Sequence, residues 1–151
     1  MSDAFELGCD GPATVVVGVD GSDTGWRALY YAVGQARRQG SRVLAVYAER
    51  LPAASFAVAG TVAIPTLDEA ADAQFRASLR TTVEELGREQ GVDAQFVLAE
   101  GDPVLALTRV AEQVHADAIV VGASMQAGHR LFGSVAVRAV RAGGRPVTVV
   151  P

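Results

Sequence analysis

The feature that most constrains this chain is the alternation of short apolar runs with segments of helical spacing. Five short and mostly apolar runs cover 14–19, 43–47, 94–98, 118–121 and 147–150, and the first of them is mainly β-branched. A continuous apolar run of this length is typical of a strand buried on both faces, as in a parallel sheet. Because four helical segments separate the five strands, we predict a single doubly wound α/β domain: a parallel sheet with helices on both faces.

Local signals predict where three of the helices begin or end. Ser22 is a good N-cap for the first helix, and Gly40 is a good C-cap. Asp102 followed by Pro103 is typical of a helix start, because proline at the first helical position loses no hydrogen bond. A fourth helix is predicted from Ser134 to about residue 142, before two glycines.

Composition excludes several classes of protein. The chain has 151 residues and a net charge of −4, which disfavours a nucleic-acid binder that neutralises phosphates. No apolar run approaches the roughly 18 residues that a membrane helix needs. The lone cysteine, Cys9, fits a reducing cytoplasm. We expect residues 1–12 to form a flexible arm and residues 13–151 to form the domain.

The expected topology places a crevice between the first and fourth strands. Ligands of doubly wound folds bind where the strand order reverses, at the carboxyl ends of the strands. Asp20 follows the first strand, where it can accept hydrogen bonds from ribose hydroxyls or act only as a turn residue. Backbone groups near Val46 could read a purine edge, or Val46 could be core alone.

The segment after the fourth strand has features of an anion site. Gly122 ends the strand, a small polar loop follows, and Gly133 with Ser134 opens the next helix. The first amides of a helix lack internal partners and carry partial positive charge, so they attract anions. Arg130 in this loop is either a phosphate partner or a solvated surface residue. With two histidines and one cysteine we find neither a metal-ligand cluster nor a catalytic constellation.

Four short motifs resemble the universal stress protein family of the UspA type. They are Val-Val-Val-Gly-Val-Asp-Gly-Ser at 15–22, Glu-Gly-Asp-Pro at 100–103, Ala-Asp-Ala-Ile-Val-Val-Gly-Ala-Ser at 116–124 and Phe-Gly-Ser-Val-Ala at 132–136. The resemblance implies a flavodoxin-like strand order, 3-2-1-4-5. It also implies homodimers in which the last strands pair antiparallel, here through Val147, Thr148, Val149 and Val150.

The family contains members that bind ATP and members that do not. The binders carry Gly-x2-Gly-x9-Gly-Ser/Thr after the fourth strand; here Met125 replaces the second glycine, and the loop from Gly122 to Gly133 is two residues shorter. We therefore expect a crevice with weak or altered nucleotide binding, with AMP, cyclic AMP or weakly held ATP as candidate ligands and no metal. The expected binding residues are Gly18, Val19, Asp20, Val46, Gly122, Ser124, Arg130, Gly133 and Ser134.

These observations favour a non-enzymatic, cytoplasmic and dimeric stress protein with an adenine-nucleotide crevice. Two alternatives stay open at this point. One is a protein-interaction module of the stress response that binds no nucleotide, and the other is an ATP-binding member with weak ATPase activity.

Overall fold

The computed structural model describes residues 13–49, 67–123 and 134–151. Within these ranges five strands and four helices alternate along the chain. The strands are β1 (Thr14–Gly18), β2 (Arg42–Glu49), β3 (Ala94–Glu100), β4 (Ala118–Gly122) and β5 (Val147–Val150). The helices are α1 (Asp23–Gln39), α2 (Leu67–Gln90), α3 (Pro103–Gln113) and α4 (Ser134–Ala142).

The strands form one parallel sheet in the order β3-β2-β1-β4-β5, which confirms the predicted α/β fold. The first strand lies in the middle, between β2 and β4. Because the chain moves outward to one edge and then returns to the other side of β1, the strand order reverses between β1 and β4.

Alternating side chains of the sheet form two separate cores. Val15 and Val17 of β1 pack under α1 and α2, whereas Val16 between them packs under α3 and α4. This arrangement follows from the two-residue period of a strand, which sends successive side chains to opposite faces. Both faces are apolar because both are covered by helices.

The helix ends follow their local chemistry. The Ser22 hydroxyl accepts a hydrogen bond from the Gly25 amide at 3.1 Å, and Gly40 ends α1 in the left-handed conformation. The Asp102 carboxylate caps α3 by accepting from the Val104 and Leu105 amides at 3.0 and 3.2 Å. These caps lie where the sequence predicted them.

Two aromatic residues depart from the helical pattern. The spacing predicts Tyr30 and Phe75 on the apolar faces of α1 and α2, but these side chains are 60% and 39% exposed. Leu79, Val83 and Leu86 form the buried part of α2, so only its second half covers the sheet. For Phe75 of α2, helical spacing alone therefore does not predict burial, because it does not show how far the helix extends past the sheet.

Candidate functional site

The reversal of strand order opens a crevice at the carboxyl ends of β1 and β4. These strands are adjacent, with Val17 opposite Val120. The chain leaves β1 toward the helix layer of α1, whereas α4 lies in the opposite layer. Between the two exits lies a cavity of about 640 Å³ with polar and apolar walls. This volume lies in the range of small-molecule sites.

The turn after β1 forms one wall of the cavity. Asp20 Oδ1 accepts hydrogen bonds from the amide and the hydroxyl of Ser22, at 2.9 and 2.5 Å. The turn lies so close to α1 that a Cβ on Gly25 would come within 2.4 Å of Asp20 Oδ1. Asp20 is therefore a turn residue whose carboxylate is fixed beside the start of α1, and its exposed side chain lines the cavity.

Gly122 lines the cavity at the end of β4 and also has a packing role. A Cβ at this position would lie 2.5 Å from the Thr24 carbonyl oxygen and 3.0 Å from the Gly25 amide nitrogen. Only glycine lets the first turn of α1 approach β4 this closely. The glycine that the sequence assigned to ligand binding is thus required by the fold as well.

The β2 side of the cavity is formed by Val46, Tyr47 and Ala48. The Val46 carbonyl accepts a hydrogen bond from the Val19 amide at 2.9 Å, and the Val46 side chain is buried. Tyr47 meets Phe75 edge to face, with ring centroids 5.9 Å apart. Burial, followed by the charges of Asp72 and Glu49, raises the pKa of the Tyr47 phenol, which therefore stays neutral at physiological pH.

The opposite wall comes from β4, α3 and α4. Leu107 and Val121 provide apolar surface, while Pro103 and Val135 stand in the first turns of α3 and α4. Since the N-cap Ser22 and residues 23–25 of α1 also line the cavity, the N-terminal turns of three helices converge on it. Their aligned backbone dipoles make this end of the sheet favourable for an anion.

The predicted binding residues fall into those that line the cavity, one that begins α4 and those outside the described residues. Gly18, Val19, Asp20, Val46 and Gly122 come together around the cavity. Ser134 is the first residue of α4. Ser124, Arg130 and Gly133, like Met125, lie outside the described residues.

Sequence reasoning missed other residues of the wall. Thr24, Arg27 and Leu107 line the cavity but were not among the expected binding residues. Arg27 could have been found, because it lies one turn into a helix that starts at the predicted switch point. Leu107 could not, since its part in the wall depends on how α3 packs against the sheet.

The described residues form neither a metal-ligand cluster nor a membrane-spanning helix. Within residues 13–49, 67–123 and 134–151, no group of three or more His, Cys, Asp or Glu residues is arranged to hold a metal ion. None of the helices in these same ranges has both the length and the hydropathy needed to cross a membrane.

Comparison with known proteins identifies the family. The family model described as "Universal stress protein family" matches residues 13–151, which includes the whole sheet and all four helices. The chain belongs to the universal stress protein family. A comparison with curated proteins found no match.

Solved universal stress proteins share the fold. One, solved in complex with cAMP, is 26% identical, with 94% of this chain and 99% of that one covered and a TM-score of 0.72. One from Archaeoglobus fulgidus, in complex with dAMP, is 25% identical, with 92% and 98% covered and a TM-score of 0.66. UspA from Lactobacillus plantarum is 21% identical, with 94% and 100% covered and a TM-score of 0.72.

Proposed function

We propose that this universal stress protein is a non-enzymatic, nucleotide-responsive protein whose crevice binds an adenine mononucleotide such as AMP or cyclic AMP. The observation that carries the proposal is the convergence of three helix N-terminal turns on one cavity at the switch point. Such a site offers an apolar space for a base and partial positive charge for a phosphate.

Relatives support the class of ligand. Two structurally similar universal stress proteins were solved with cAMP and with dAMP, and both ligands carry one phosphate. In this chain the adenine would lie near Val46 and Tyr47, and the ribose would lie near Asp20. The phosphate would lie toward Gly122 and the start of α4 at Ser134, with Ser124, Arg130 and Gly133 contributed by the preceding loop.

The loop sequence supports a monophosphate over a triphosphate. Relative to the ATP-binding pattern, the segment from Gly122 to Gly133 is two residues shorter and carries Met125 in place of glycine. A shortened loop reaches less far around a phosphate chain, and a side chain in place of glycine hinders the approach of backbone amides. ATP is therefore expected to bind weakly.

The role proposed for the bound nucleotide is regulatory. The crevice would report an adenine nucleotide in the cytoplasm to a partner protein, without chemical turnover.

We further propose that the protein acts as a homodimer joined through β5, since β5 lies at the edge of the sheet with β4 as its neighbour within the chain.

Asp20→Asn tests the position of the ribose. The asparagine oxygen can still accept the two hydrogen bonds from Ser22, so the turn persists, but an amide replaces the remaining carboxylate oxygen. We expect AMP affinity to fall about tenfold, because hydrogen bonds to charged groups contribute about 1.5–3 kcal/mol. The readout is the rise in melting temperature at fixed AMP concentration.

Asp93→Asn is the matched control. Asp93 is an exposed residue just before β3, at the amino ends of the strands and so at the other end of the sheet from the cavity, and its carboxylate accepts from Gln95. This variant should keep the full AMP-induced shift. An unchanged shift in Asp20→Asn would contradict the proposed ribose position, and no shift in the wild-type protein would favour a protein-interaction module.

A further inference from the structure

The cavity wall is poor in positive side chains. Among the described residues that line it, Asp20, Asp23 and Arg27 carry formal charges, so these side chains contribute a net charge of −1. Asp23 lies in the first turn of α1, where it complements the helix dipole. Among the described side chains of the wall, Arg27 is therefore the one that offers an anion a formal positive charge.

Arg27 lies at the end of the cavity away from the aromatic residue Tyr47. Its guanidinium donates a hydrogen bond to the Pro151 carbonyl, directly after β5. At the same place the Ala123 amide donates to the Val150 carbonyl at 2.7 Å, where the chain leaves β4. Arg27 thus stands on the β4–β5 side of the crevice, whereas Tyr47 stands on the β2 side.

The fold brings Arg27 to this place through α1. The first turn of the helix packs directly on the end of β4, at the contact between Thr24 and Gly122. Arg27 follows Thr24 by about one turn, so its long side chain extends across the end of β4 toward β5. The residue is exposed, which leaves the guanidinium accessible from the cavity.

The present hydrogen bond of Arg27 is weak enough to be exchanged. Its length of 3.4 Å exceeds the 2.7–2.9 Å that is typical of an arginine bonded to a phosphate or carboxylate. A phosphate group would offer the guanidinium a bidentate acceptor in place of this single long hydrogen bond. Binding a phosphate therefore costs little of the existing structure.

We propose that Arg27 binds the phosphate group of the ligand and that its guanidinium favours a monophosphate. The inference rests on the proposed function, because it assigns a residue to the phosphate end of the same crevice. A second or third phosphate would add negative charge to a wall that already carries Asp20 and Asp23.

The test compares AMP with adenosine, which lacks the phosphate, in calorimetric titrations of the full chain. We expect Arg27→Gln to weaken AMP roughly 10- to 100-fold while adenosine affinity changes less than about twofold. Arg27→Lys keeps the positive charge but loses the planar guanidinium that can donate two parallel hydrogen bonds. The AMP affinity of this variant should therefore lie between those of the wild type and Arg27→Gln. Melting curves of the free proteins check that each variant folds.

Arg38→Gln is the matched control, because it makes the same change on an exposed arginine about three turns farther along α1. It should leave both affinities unchanged. Suppose that the wild type binds AMP, but that Arg27→Gln either binds AMP equally well or loses affinity for AMP and adenosine alike. The role proposed for Arg27 is then wrong, and the proposed function stands. If the wild type binds neither ligand, the proposed function fails first.

Discussion

At the scale of single residues, two residues proposed for the site also have a role in the fold. Asp20 was expected either to bind ribose or to act as a turn residue, and the structure shows the turn through its hydrogen bonds to Ser22. Gly122 was expected as a ligand-binding glycine, and it is also needed where Thr24 approaches β4. Sequence patterns locate such residues but cannot reveal contacts with distant segments.

Gly122→Ala tests the packing role. The added Cβ would meet backbone atoms of Thr24, which cannot move without shifting the first turn of α1. We expect a loss of about 1–3 kcal/mol in the free energy of unfolding, as for overpacked sites. Urea denaturation, followed by circular dichroism, measures this change.

Gly34→Ala serves as the control for that substitution. Gly34 lies inside α1, and a Cβ there would meet only the flexible end of Arg38 at 3.4 Å. Alanine favours the helix over glycine, so this variant should be more stable by about 0.5–1 kcal/mol. If both variants changed stability in the same direction, the close approach at Gly122 would not explain its presence.

At the scale of helices and strands, the sequence predicts ends better than burial. The caps at Ser22, Gly40 and Asp102 depend on neighbours in the chain, and each lies where it was expected. Burial along α2 depends on where the sheet ends, which no local signal contains. Phe75 illustrates this: it packs against Tyr47 and Gly21 at the rim instead of entering the core.

Asp102 joins two helices that flank the crevice. Besides capping α3, its carboxylate accepts two hydrogen bonds from Arg138 of α4, at 2.9 and 2.8 Å. The hydrogen bond from Arg138 and the amides of Leu105 and Val104 lower the pKa of Asp102. This contact connects α4, whose N-terminal turn lies at the cavity, to the start of α3.

Arg138→Gln tests this link between α3 and α4. The pKa of Asp102 is lowered in the folded state from its ordinary value of 3.8. The ionised carboxylate therefore stabilises the fold above pH 3.8, and this stabilisation is lost as the pH falls through the pKa of Asp102 in the folded protein. The wild type should therefore be more stable than Arg138→Gln near neutral pH. The difference should shrink below about pH 4 in melting curves recorded across the pH range.

Arg109→Gln provides the comparison, because Arg109 is an exposed arginine of α3 away from Asp102. Its stability difference from the wild type should stay small and vary little between pH 3 and 7. A pH-independent difference for Arg138→Gln would mean that the ion pair with Asp102 does not stabilise the contact between α3 and α4.

At the scale of the whole molecule, the sheet order was predictable and the ligand was not. Five apolar runs alternating with helices leave few parallel topologies, and the motifs at 15–22 and 116–124 select one of them. Which of the proposed ligands would fit depends on the shape of the cavity and on side chains such as Arg27, which come together only after folding.

The proposed dimer depends on the outer edge of β5. The Pro146 carbonyl accepts from the Ile119 amide of β4, and the Val150 carbonyl accepts from the Ala123 amide directly after β4. Alternate residues of a strand direct their backbone groups to opposite sides, so the Val149 amide points away from β4. Val149→Pro removes this outward donor but keeps the ladder to β4, and it should give monomers in light scattering.

Val149→Ala is the control, because it shortens the same side chain and keeps the amide. It should remain dimeric, with some loss of stability since Val149 packs against the core under α3 and α4. A monomeric wild-type protein, or a dimer that survives Val149→Pro, would contradict pairing through β5.

The central claim is that the crevice is a site for an adenine monophosphate with a weakened triphosphate end. Calorimetric titration of the wild-type protein with AMP, cyclic AMP and ATP tests it most directly. The account predicts measurable binding of AMP or cyclic AMP and clearly weaker binding of ATP. Sub-micromolar ATP affinity would contradict the role assigned to the shortened loop, and no binding of any of the three would contradict the nucleotide site itself.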